Sequence, residues 1–193
     1  MGQKQVAALW VLCAALGGPA RAHGVSGKVQ VGGGKGAENS VVYLSSPGKS
    51  FPPPAEQAVM DQRTKTFVPH VLVVMKGQKV SFPNTDLIRH NVFSPSKTHK
   101  FNLGIYPPGL KKEEMFDQAG VVSLLCNVHP EMSAFIVVVE TPWFAVVGPD
   151  GSYRINDVPS GKYEVVAWHE GLPELRKPLE VKGDVQLNLA VKK

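Results

Sequence analysis

Short runs of apolar or alternating residues recur along this chain between clusters of Gly, Pro, Asn and Asp. The runs cover 25–31, 40–45, 58–62, 71–75, 79–83, 91–94, 120–125, 134–140, 152–155, 162–168 and 185–191. Val, Ile, Phe and Tyr dominate them, and these residues suit a pleated, half-buried surface. Turn chemistry is explicit at Pro149-Asp150-Gly151 and Pro159-Ser160-Gly161. No long segment carries an apolar stripe at helical spacing. Short strands punctuated by turn signals predict an all-β chain of sandwich or barrel architecture.

The N-terminus follows a different logic. Lys4 gives a basic start, Val6 to Leu16 is apolar, and Gly17-Gly18-Pro19-Ala20-Arg21-Ala22 ends on small residues. This is the pattern of a secretory signal peptide, and its apolar run is too short to span a bilayer as a helix. The reading is export to the periplasm with cleavage after Ala22; the alternative is a retained N-terminal anchor. Leu12, directly before Cys13, is bulkier than the residue a lipidation signal carries there. Residues 23–193 contain no run long enough to cross a membrane, so no stable insertion of the mature chain is expected. Loss of Lys4 and Arg21 takes the net charge from +5 to +3. That mild excess suits an acidic partner surface, and no basic stripe or stacking motif points to nucleic acid.

Removal of the leader also leaves Cys126 as the only cysteine. A lone thiol in an oxidising compartment has no internal disulfide partner, so it is buried and inert, catalytic, or bound to metal. Its neighbours favour metal. Cys126-Asn127-Val128-His129-Pro130-Glu131-Met132 places thiolate, imidazole and thioether on one loop after the strand-like run 120–125. Upstream, His90 opens the run His90-Asn91-Val92-Phe93. Thiolate, two imidazoles and a weak axial thioether suit copper in its electron-transfer form. Structural zinc takes four Cys or His ligands, and Met serves it poorly.

Residues 58–140 resemble the cupredoxins, the blue copper proteins, and most closely those of the amicyanin and plastocyanin type. The resemblance rests on Phe67-Val68-Pro69, on Lys76-Gly77-Gln78-Lys79-Val80-Ser81-Phe82-Pro83-Asn84, on His90-Asn91-Val92-Phe93, and on Phe116-Asp117-Gln118-Ala119-Gly120 leading to Cys126. It implies a Greek-key β-sandwich in which His90, Cys126, His129 and Met132 bind one type 1 copper. It also implies electron entry or exit at His129, and a role for Asn91 in tying the two ligand loops together, where the alternative is an ordinary polar residue at a strand end. Redox partners such as a cytochrome or a dehydrogenase follow by the same analogy. Val128 stands where the family often has Pro, a departure that bears on loop stiffness and removes no ligand.

Residues 144–191 resemble the carboxypeptidase regulatory-like, or transthyretin-like, β-sandwich. The match lies in Gly148-Pro149-Asp150-Gly151-Ser152-Tyr153-Arg154-Ile155 and Val158-Pro159-Ser160-Gly161-Lys162-Tyr163-Glu164-Val165. That pattern usually opens with strands like those at 25–29 and 40–44, which here precede the cupredoxin-like part. The expected division is therefore a leader at 1–22, N-terminal strands at 23–45, a cupredoxin domain at 46–140, and a second, smaller β-sandwich at 141–193; the N-terminal strands either join the C-terminal unit or belong to the cupredoxin sheet. Gly32 to Gly36 and Ser46 to Pro54 read as surface loops.

The remaining histidines, His70, His99 and His169, read as surface or half-buried residues. His23 would become the N-terminal residue on cleavage, and its amine and imidazole could chelate a second copper; a histidine brace would need another histidine, and nothing in the sequence marks one. No catalytic set is visible, and no second histidine-rich cluster would supply the further copper of an oxidase or nitrite reductase. The expectation is a binding protein and not an enzyme. Single-electron transfer is the leading reading, and copper carriage or sensing, which would use the same ligands, is the alternative.

Overall fold

The computed structural model describes residues 22–33 and 36–193. The leader therefore lies outside the described residues except for Ala22, as does part of the glycine-rich stretch. The described residues form strands and connections with no helix. In chain order the strands are β1 (Ala22–Val31), β2 (Val41–Ser45), β3 (Ala58–Val59), β4 (Asp61–Arg63), β5 (Thr66–Val68) and β6 (Val71–Met75). They continue with β7 (Gln78–Pro83), β8 (His90–Ser94), β9 (Phe101–Tyr106), β10 (Lys111–Phe116), β11 (Gly120–Leu125) and β12 (Ser133–Val139). The last are β13 (Phe144–Val146), β14 (Ser152–Pro159), β15 (Gly161–Trp168), β16 (Leu175–Val181), β17 (Val185–Gln186) and β18 (Leu189–Val191).

Two sandwiches result. In the first, a five-stranded sheet ordered β6-β12-β11-β8-β9 faces a three-stranded sheet, β10-β7-β3, with the hairpin β4-β5 alongside. Met60, Phe67, Phe82, Phe116, Leu124 and Ile136 fill the space between them. In the second, the sheet β13-β2-β15-β16 faces β14-β1-β17, with β18 also on β1. Its core holds Val25, Leu44, Trp143, Ile155, Val165 and Leu189. The strands that precede residue 46 thus pair only with strands that follow residue 141: β1 with β14, β17 and β18, and β2 with β13 and β15.

The sandwiches stack face to face. Along β12, Ala134, Ile136 and Val138 enter the first core, while Val137 and Val139 enter a third cluster with Val41, Val71, Met75 and Trp168, against which Phe135 packs. Along β2, Val42 and Leu44 enter the second core, and Val41 and Tyr43 face that same shared cluster. Strands with apolar residues on both faces need cover on both, and the stack provides it.

Several segments are strands that the hydrophobic rhythm does not reveal. β9, β10 and β16 fall between the predicted runs, where the sequence reads as connection. All three lie at sheet edges; β10 and β16 carry mostly charged outward residues, while β9 exposes Ile105 (57%) and β10 Met115 (52%), so no apolar-in, polar-out alternation marks them. The run 185–191 divides into β17 and β18.

Candidate metal centre

The end of the first sandwich gathers the predicted donors. β8 begins at His90, and β11 ends at Leu125, directly before Cys126. The two strands are neighbours, with Leu125 opposite Phe93, so the ladder brings the upstream histidine to the cysteine loop. Within that loop the Met132 N–H donates to the His129 carbonyl at 3.0 Å, closing a tight turn. The side-chain donor atoms of His90, Cys126 and His129 lie within 4.8 Å of one another. His90 is fully buried, Cys126 is 4% exposed and His129 is half-buried. Met132, 1% exposed, lies in the core cluster that also holds Cys126.

Hydrogen bonds orient these groups. His90 Nε2 sits 2.9 Å from Asp86 Oδ2. An ionised carboxylate only accepts, so the proton belongs on Nε2 and the Nδ1 lone pair turns inward. There it faces His129 Nδ1 at 3.0 Å. Two inward nitrogens so close call for a shared proton or a cation between them. The Lys65 N–H, the His90 ring and the Leu87 N–H hold the Asp86 carboxyl down to about 2 from its usual 3.8. The Asn91 N–H points at Cys126 Sγ at 3.5 Å, and Asn91 Oδ1 accepts the Asn127 N–H at 3.3 Å. Asn91 thus links the two ligand-bearing segments through both its backbone and its side chain.

The donor chemistry fits a soft, borderline ion: one sulfur, two imidazole nitrogens and a buried thioether nearby, with no carboxylate in the inner cluster. Behind the cluster lies the apolar core of the first sandwich. Opposite His90 in the ladder stands Tyr106, whose hydroxyl donates to the Phe82 carbonyl at 2.9 Å and accepts from Gln62 Nε2. Burial pushes its phenol well above the ordinary value, so it stays neutral.

The other histidines stand apart from this cluster. His70 pairs with Glu170 at 2.9 Å, His99 with Glu114 at 2.9 Å, and His169 Nδ1 lies 3.0 Å from Ser40 Oγ. His23 Nε2 lies 3.0 Å from Ser160 Oγ and belongs to no metal-type group among the described residues. Asp86 is an orienting residue that the sequence motifs do not reveal. Asn84-Thr85-Asp86 reads as an ordinary turn, and only its spacing four residues before His90 marks it.

No family model and no curated protein sequence matches the chain. Solved structures do show likeness to part of it. A purple cupredoxin from Nitrosopumilus maritimus shares 24% identity over 42% of this chain and 98% of its own, with a TM-score of 0.39. A variant of amicyanin in its reduced Cu(I) form shares 20% identity over 50% of this chain and 97% of its own, with a TM-score of 0.41. The copper-containing nitrite reductase from Thermus scotoductus SA-01 shares 22% identity over 51% of this chain, with a TM-score of 0.43; the match spans only 25% of that enzyme. The chain is an all-β protein with a largely buried His–Cys–His cluster, and the solved structures that it resembles over about half its length include cupredoxins.

Proposed function

We propose that this chain is an exported copper protein that transfers single electrons, with His90, Cys126, His129 and Met132 holding one type 1 copper. The observation that carries the reading is the convergence of two inward Nδ1 atoms and the cysteine sulfur within 4.8 Å, in a buried pocket braced from outside. Copper held there would supply a Cu(I)/Cu(II) couple. The chain's own part is to keep the donors still, so that little rearranges between the two states. Asp86 fixes the His90 ring, and the Asn91 bonds fix the cysteine end.

The same reading makes His129 the point of electron exchange. It alone of the three clustered residues reaches the surface, beside Val128, which is 41% exposed. The neighbouring loop carries Leu87, 92% exposed, on the turn that also holds Asp86. A half-buried ligand beside an exposed apolar side chain such as Val128 suits brief contact with a redox protein such as a cytochrome or dehydrogenase, and the periplasm is the compartment that the leader-like N-terminus suggests. All four donors come from the protein, which leaves no position for a substrate and favours a carrier of electrons over an enzyme.

Copper titration followed by voltammetry tests this. One tightly held copper with a reversible one-electron couple is expected. Copper that exchanges readily with a chelator and shows no reversible couple would instead mark a copper carrier.

A further inference from the structure

The stacked sandwiches bring the second one against the strand that leaves the ligand loop. β12 begins at Ser133, immediately after Met132. Phe135 follows two residues later and points away from the first core, into the shared cluster. Three contacts meet on it. Its N–H donates to the His70 carbonyl at 2.9 Å, and the His70 ring stands edge-on to it at 5.7 Å between centroids. The Trp168 ring, on β15 of the second sandwich, lies 5.3 Å away. His70 also pairs with Glu170, two residues beyond Trp168, so the same segment of the second sandwich grips both partners of the contact.

His90 and Cys126 are braced inside the first sandwich, by Asp86 and by Asn91. Met132 has its backbone bond to His129 and the adjoining ladder pair Leu125 and Ser133. A thioether binds copper weakly and at long range, so the scaffold and not the bond sets its position. We infer that the second sandwich is a positioning element for the metal centre: Trp168, with the His70–Glu170 pair, clamps Phe135 and thereby the Met132 end of the loop. Trp168 touches no donor and is a positioning residue. The inference rests on the copper reading above for its effect on potential, and on the contacts alone for the clamp.

The test uses the full chain with Trp168→Leu, Trp168→Phe and Glu170→Gln. In copper-loaded protein, Trp168→Leu should keep the thiolate-to-copper band. It should change the ratio of Cu(I) to Cu(II) affinity about tenfold, the size of effect expected from a supporting residue, which is about 59 mV for one electron. Trp168→Phe should return the affinity ratio most of the way to the parent's. In metal-free protein, hydrogen exchange at the Ser133–Phe135 amides should quicken in Trp168→Leu and in Glu170→Gln. A folded Trp168→Leu with the parent's potential and exchange would overturn the inference. Should that variant fail to fold, parent-like exchange at Phe135 in Glu170→Gln would overturn it equally. A parent that binds no copper would sink the copper reading, while the exchange measurement would still decide the clamp.

Discussion

The His90–Asp86 pair shows how a turn can fix the tautomer of a buried imidazole. The carboxylate accepts hydrogen bonds from the Lys65 and Leu87 N–H groups and faces Nε2, leaving Nδ1 turned toward the cluster. Asp86→Asn should weaken copper binding by about 10–100-fold while the fold persists, as loss of an outer hydrogen-bond partner does; competition with a chelator of known affinity reads this. Because the Asp86 carboxyl is lowered to about 2, its charge stabilises the native state above the usual 3.8, and that contribution is lost as pH falls through 2. In metal-free protein the stability gap between parent and Asp86→Asn should therefore be constant above about pH 4 and shrink toward about pH 2 in denaturant titrations. Cys126, His129 and Met132 stand out in the sequence because they share one short loop, and the described residues hold no other cysteine. Asp86 does not, since its role depends on a turn folding back on a residue four places on.

β2 and β12 explain why part of the fold can be read from the sequence and part cannot. Their apolar runs mark buried strands, but continuous runs do not say what covers the second face. The hydrophobic pattern therefore names the strands without revealing the stack. β10, with alternating exposure and charged outward residues, lacks that signal altogether. Gly27 illustrates the close packing of the N-terminal strand. A Cβ there would lie 1.9 Å from the Leu187 carbonyl oxygen, and the Leu187 N–H donates to Ser26 O at 2.8 Å. Gly27→Ala should then destabilise the protein by about 1–3 kcal/mol, the usual cost of overpacking, in thermal or urea unfolding. An unchanged midpoint would mean that β1 and the 185–191 segment are less closely joined.

Across the whole molecule, the shared cluster makes the two sandwiches depend on each other. Residues 46–140 prepared alone would bare Val71, Val73, Met75, Phe135, Val137 and Val139 on one sheet face. A contiguous apolar face of this kind favours association. The isolated fragment should self-associate in sedimentation experiments, and Val73→Thr with Val137→Thr should reduce this; a monomeric parent fragment would show that the second sandwich is not needed as cover. Everything proposed for the metal centre depends on the thiolate–copper bond itself. The visible spectrum of residues 23–193 with Cu(II), recorded beside that of Cys126→Ala, tests it directly. An intense blue or green band is expected in the parent and should vanish in the variant. A colourless parent, or weak bands that the substitution leaves unchanged, would contradict the blue-copper reading.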